Sequence, residues 1–138
     1  MPVRRRPKAQ GELAELVFMC KATTEGLVVA KPWGDNLPFD FLVGGGTRWW
    51  RVQVKSTRKR RWRSYQAILA HSLKYRGYTA ADTDFIAVYV IPAKAWYVVP
   101  IRECARKLAI CLFPTRAPGK RSAGRFEKYR EAWHLLRG

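Results

Sequence analysis

PFDFLVGGGTRWWRVQVK, residues 38–55, holds two runs, 39–43 and 49–55, joined through the turn GGGTR. Polar and apolar positions alternate in the second run, and a short glycine-rich connection suits antiparallel strands, so the stretch reads as a β-hairpin. If Val43 pairs with Trp49 or Trp50, facing positions sum to about 92 or 93, and Asp40 falls opposite Val52 or Gln53. Side chains alternate across a strand, which gives Gln53 and Lys55 one face and Val52 and Val54 the other. An acid, an amide oxygen and an ammonium thereby gather at one end of a hairpin. Such a set can hold a divalent cation beside a phosphate, and oxygen donors of this kind suit magnesium.

Upstream, residues 11–26 carry Leu13, Leu16, Val17 and Cys20 at helical spacing with Gly26 as a stop, and predict a helix. Glu15 stands out on it. Phe18, Met19 and Ala22 lie three, four and seven residues on, so its carboxylate projects from an apolar line and needs a partner. Glu12, in the first turn, suits capping or solvation. Before the helix, residues 1–10 form a basic arm; after it, 27–30 predicts a short strand leading into the turn-rich KPWGDNLP.

Beyond the central hairpin, STRKRRWR (56–63) is too charged for a core strand and predicts an exposed loop or sheet edge, while 64–73 suits strand or helix. The β-branched and aromatic runs DFIAVYVI and AWYVVPI flank 92–94 and predict a second hairpin deep in the sheet. Residues 101–107 predict a short helix, 109–113 a strand, 114–125 a Pro/Gly/basic loop, and 126–136 a terminal amphipathic helix. On that last helix Phe126, Tyr129, Trp133 and Leu136 serve either a subunit interface or the core. No repeat or second domain is visible, so residues 1–138 read as one domain.

The composition narrows the partner. Lys and Arg number 27 against 10 Asp and Glu, a net charge of +17 that favours a polyanion, nucleic acid first. No apolar run is long enough to span a membrane and no signal-peptide pattern precedes Gly11, which together predict an intracellular protein. Cys20, Cys104 and Cys111 lack disulfide or zinc-ligand spacing and read as reduced core thiols.

Taken in order, Gly11-x-x-Ala-Glu15, Trp33-Gly-Asp-Asn-x-Pro-x-Asp40, Val52-Gln-Val-Lys55, Tyr78-Thr-Ala-x-Asp82-x-Asp84-Phe and Trp96-Tyr-Val-Val-Pro100 resemble the PD-(D/E)xK nuclease superfamily. The likeness is strongest to its group I intron homing endonucleases, with Holliday junction resolvases more distant. The resemblance implies an α/β, restriction-endonuclease-like fold, a mixed β-sheet flanked by helices, and an Mg²⁺-dependent DNA endonuclease. It implies Asp40 as the metal-binding acid, Gln53 in the second acid position as a ligand or water-orienting group, and Glu15 as a further metal carboxylate. Lys55 would stabilise the pentavalent transition state or help position the attacking water. Many superfamily members carry Asp or Glu where Gln53 stands; the homing branch resembles this chain in using Gln, and the lower negative charge points to a weaker or single-metal site.

Arg58, Lys59, Arg60, Arg61, Trp62 and Arg63 interleave charge with an aromatic directly after Lys55 and are expected to contact the backbone of double-stranded DNA, with 116–125 as a weaker second surface. His71 and His134 have no partner at ligand spacing and read as surface or packing residues; Asp82 and Asp84 read as structural. One small domain offers one active site, so double-strand cutting calls for a homo-oligomer, a dimer or tetramer. A structure-specific nuclease and a non-catalytic DNA-binding module on the same fold are the alternatives.

Overall fold

The computed structural model describes residues 6–71, 76–115 and 124–138. Helix α1 (Pro7–Thr24) starts at Pro7 rather than Gly11, taking in the end of the expected 1–10 arm, because proline is pre-set for a first helical turn and its missing N–H costs nothing there. Eight strands follow: β1 (Val28–Ala30), β2 (Phe41–Gly44), β3 (Trp49–Thr57), β4 (Arg60–Arg61), β5 (Ser64–Ile68), β6 (Phe85–Val90), β7 (Ala95–Pro100) and β8 (Ala109–Leu112), with the short α2 (Ile101–Cys104) between the last two. The chain has a mixed α/β architecture. Its main sheet runs β1-β2-β3-β6-β7, with β3 and β6 parallel and every other neighbour antiparallel.

The central hairpin adopts the second of the two expected registers, Phe41 facing Val52 and Val43 facing Trp50; the ladder ends at Phe41, and Asp40 just before it donates its N–H to Val52 O. The second hairpin, β6 and β7, forms as expected around the turn at 91–94, although β7 is the sheet's outer strand rather than an interior one. Residues 64–68 are strand, and with β4 and β8 they make a separate three-stranded antiparallel sheet.

One face of the main sheet is covered by α1, through the line that holds Phe18 and Ala22 and not through Leu13 and Leu16. Ala14, Phe18 and Ala22 are buried, whereas Leu16 stays 60% exposed and Leu13 37%. The two alanines let the helix approach closely, and Phe18 enters between Phe41, Trp96 and Trp133 at ring-centre distances of 5.2, 5.6 and 5.7 Å. Cys104 is buried as expected, but Cys20 and Cys111 are exposed, because each sits on the outward face of its element.

The expected terminal helix does not form. Two 3₁₀ turns, Glu127–Tyr129 and Trp133–Leu136, are separated by Arg130 in extended conformation and Glu131 at φ 55°. The free edge of β7 wins this segment: Arg130 bridges Tyr97, and Glu131 N–H donates to Trp96 O while its carboxylate accepts the Trp96 N–H at 3.1 Å. Covering the edge satisfies backbone groups that a helix would leave open. Phe126, Tyr129, Trp133 and Leu136 are all buried, so the stripe is core.

Phe18→Ala should lower stability by about 3–5 kcal/mol in urea unfolding, and Leu16→Ala by less than about 1, since only the first empties a packed site. Equal losses would mean that the wrong face of α1 has been assigned to the core.

Candidate active site

The sequence at the start of β2 creates the site. Asp40 N–H donates to Val52 O at 2.9 Å, but two residues earlier Pro38 has no N–H to carry the ladder on. The Asp40 side chain takes over, its Oδ2 accepting the Val54 N–H at 2.8 Å. β3 therefore continues past the end of β2, with Gln53 and Lys55 on the sheet face opposite α1; on its other side the strand is held by β6, Gln53 beside Ile86 and Lys55 beside Val88.

Asp40 is the informative group. Every other acid is either exposed, ion-paired or tied by hydrogen bonds: Glu15 to Lys31, Glu25 to Lys21 and Arg137, Asp82 to Arg76, Asp84 to Arg51, Glu103 to Arg102, and Glu127 to Arg130 and Tyr97. Asp40 is half-buried and has no ion pair among the described residues. Burial pushes its pKa up to about 6, helped by the nearby Glu15 charge, and the Val54 N–H, Lys31 and Lys55 only partly offset this. In a chain with this excess of cations, a half-buried carboxylate without a salt bridge marks a place where positive charge is missing.

Lys55 is also substantially buried. Desolvation holds its ammonium below the usual lysine range against the opposing pull of Asp40, and its Nζ lies 5.0 Å from the centre of the Tyr78 ring. Burial, with the Asp40 and Asp82 charges, pushes the Tyr78 phenol up to about 12, so it stays a neutral wall. Gln53 donates from Nε2 to Val54 O at 3.2 Å, which leaves its carbonyl oxygen as the acceptor. Glu15 reaches the site from α1, and a cleft of about 240 Å³ is lined by Glu15, Lys31, Asp35, Phe39 and Asp40.

Of the four expected site residues, Asp40, Lys55 and Glu15 lie within one electrostatic neighbourhood, and Gln53 is one strand position from Val54, to which Asp40 is bound. Lys31 and Tyr78 are additions. Nothing local marked Lys31, whose partner Glu15 is sixteen residues away across a turn. Asp84 accepts the Arg51 N–H at 2.8 Å and its guanidinium at 3.0 and 3.2 Å, which ties the 79–84 loop to β3, whereas Asp82 accepts the Thr79 N–H at 2.9 Å and the Arg76 guanidinium at 3.2 Å and fastens the loop to itself; both stand outside the cleft. His71 packs on Tyr78 at 5.1 Å and His134 is exposed. The run 58–63 forms a small ribbon, β4 and the start of β5, with Trp62 at its tip, 85% exposed and at φ 57°. Residues 116–123 of the second basic surface lie outside the described residues.

Among the described residues no three His, Cys, Asp or Glu side chains form a ready-made metal cage. The donors present are two carboxylates, Asp40 and Glu15, and the Gln53 amide oxygen, all hard, and Asp40 among them is held in no ion pair. That set fits a divalent cation of the magnesium kind. The whole of this geometry lies inside the span matched by one family profile, described as PD-(D/E)XK endonuclease, over residues 5–135. The chain belongs to the PD-(D/E)XK endonuclease family. Its fold is shared with a solved bacterial homing endonuclease, I-Ssp6803I, at 27% identity and a TM-score of 0.79, covering 96% of this chain and 92% of that one. No curated protein sequence gives a significant match. No helix among the described residues is long and apolar enough to cross a membrane.

The Asp40 shift carries a sign. Its folded pKa, about 6, lies above the ordinary 3.8, so between those values the folded state binds more protons and stability falls as pH rises. Asp40→Asn should therefore be more stable than the parent at pH 7.5 in EDTA, by about 1–3 kcal/mol, with the gap closing near pH 4. Urea unfolding at both pH values checks this; a destabilised Asn variant at pH 7.5 would show that the carboxylate is satisfied where it stands.

Proposed function

We propose that this chain is an Mg²⁺-dependent DNA endonuclease that hydrolyses phosphodiesters in the manner of a homing endonuclease. The observation that supports it most is Asp40, a half-buried carboxylate aimed by the Val54 N–H and held in no ion pair, beside Glu15 and Lys55. In this reading the carboxylates of Asp40 and Glu15 and the amide oxygen of Gln53 hold the ion. A bound Mg²⁺ would supply Lewis-acid stabilisation of phosphoryl charge and ease deprotonation of water. The chain's own residues do the rest.

Lys55 sits where little solvent screens it, so its ammonium acts strongly on charge that develops on phosphate oxygens in a pentavalent transition state, or fixes the attacking water. Fixing Asp40 through a backbone N–H keeps its carboxylate in place before substrate arrives, so no side-chain freedom is lost at that step. Gln53 in place of an acid lowers the negative charge of the donor set and favours a weaker or single-ion site. The ribbon at Arg58, Lys59, Arg60, Arg61, Trp62 and Arg63 meets the phosphate backbone of double-stranded DNA, setting affinity and placement rather than sequence. One site per chain makes a homo-oligomer, dimer or tetramer, the form that cuts both strands.

With Mg²⁺, the protein should cut members of a randomised duplex library, EDTA should abolish cutting, and Asp40→Ala and Lys55→Ala should each lose at least about a hundredfold in rate. A four-way junction run alongside separates the branches: preferential junction cutting points to a structure-specific nuclease, and tight DNA binding with no cleavage in any arm points to a binding module. The ribbon has its own readout. Arg60→Ala with Arg61→Ala should weaken duplex binding and flatten the log K against log[salt] slope by about 2; an unchanged slope would remove the ribbon from the interface.

A further inference from the structure

Lys31 is the cation closest to the candidate metal carboxylates that the function above does not use. It follows directly on β1, and its ammonium lies over the Phe41 ring, with Nζ 4.8 Å from the ring centre and 3.1 Å from Glu15 Oε1. It lines the same cleft as Asp40 and lowers that carboxylate's pKa through space. The ion pairs that fasten loops to the sheet are built differently: Arg51 grips Asp84 and the Ala80 and Ala81 carbonyls with several hydrogen bonds, and Arg76 holds both Asp82 and Gly77. Lys31 makes one hydrogen bond to Glu15, and its side chain is 53% exposed against 27% for Glu15. A single bond from a flexible, half-solvated ammonium is made to be broken, whereas a forked guanidinium clamp is not.

We propose that Lys31 is the resident counter-ion of the cation site, neutralising Glu15 when no metal is bound and competing with a divalent ion for that carboxylate. This rests on the reading of Glu15 and Asp40 as metal ligands. Filling the site then means releasing Lys31 from Glu15 into solvent, where half of the side chain already is. The exchange swaps one cation for another at Glu15, so that carboxylate does not stand uncompensated when the site is empty, and the intrinsic affinity for metal is lowered by the cost of displacing the lysine.

The test is a titration of metal-stripped protein with Mn²⁺ in the absence of DNA, free ion being read by electron paramagnetic resonance. Lys31→Met should bind Mn²⁺ about tenfold more tightly than the parent, and Lys31→Arg should stay at or below parental affinity. If Lys31→Met fails to fold, Lys31→Gln takes its place with the same expectation. Because Lys31 acts through Glu15, the gain should vanish when Lys31→Met is combined with Glu15→Gln. Unchanged or weaker binding by Lys31→Met overturns the proposal, and so does a gain that persists without Glu15, since that would be a general charge effect. Asp40→Asn and Glu15→Gln keep the two readings apart. If both weaken Mn²⁺ binding while Lys31→Met leaves it unaltered, the metal site stands and the counter-ion role falls. If neither variant alters binding, or if no form of the protein binds Mn²⁺, the metal-site reading fails and takes this proposal with it.

Discussion

The hydrogen bond from Val54 N–H to Asp40 is the constraint on which the site depends. It replaces a ladder bond that β2 would supply if it ran further, and Pro38 is why it does not. Were β2 longer, backbone would cover this edge of β3 beside Gln53 and Lys55. Were it shorter, Asp40 would be a loop residue without a fixed carboxylate. Ending the strand at this point converts an unpaired backbone donor, which a protein must satisfy anyway, into the device that aims an acid.

Rigidity comes from the other side. β3 is nine residues long and is held in parallel by β6 from Val52 through Thr57, so the segment with Gln53 and Lys55 is sheet interior in one direction and free edge in the other. A parallel pair requires a crossover, and here the connection contains β4 and β5, which pair away from the main sheet with β8. The same crossover that lets β6 support the site also carries the basic ribbon out of the sheet, so Trp62 and its arginines are presented by the connection that the parallel pairing demands.

What the sequence disclosed follows from the range of the forces involved. The two hairpins were legible because alternation is a local pattern and a glycine-rich or proline-containing turn fixes where it reverses. Glu15 could be singled out because Phe18 and Ala22 lie on its own helix. Hydropathy alone does not say which face of α1 is buried, because Leu13, Leu16, Val17 and Cys20 form as good a stripe as the line of Phe18 and Ala22; the sheet selects Ala14, Phe18 and Ala22, since small residues admit close packing around one ring. The terminal segment has helical spacing, yet its backbone goes to the edge of β7 some thirty residues upstream, a competition that no window of sequence contains. The second sheet was hidden likewise, its partners β5 and β8 being separated by about forty residues.

The remaining question is how a protein of charge +17 keeps an acidic site at all. Free cations near Asp40 would pair with it and block the cleft, as Arg51 and Arg76 occupy Asp84 and Asp82 outside it. Among the described residues the cations that act on Asp40 are lysines on a strand or at a strand end: Lys55, whose position is set by β3 and Tyr78, and Lys31, whose ammonium lies over Phe41. Both influence Asp40 through space and neither forms an ion pair with it. The arginines of the ribbon, by contrast, project from a separate sheet, where they can meet a polyanion without reaching the acids. In the proposed function, segregating flexible or forked cations from the cleft is thus as much a part of the site as the acids themselves, because an excess of positive charge suited to a nucleic acid would otherwise neutralise the carboxylates.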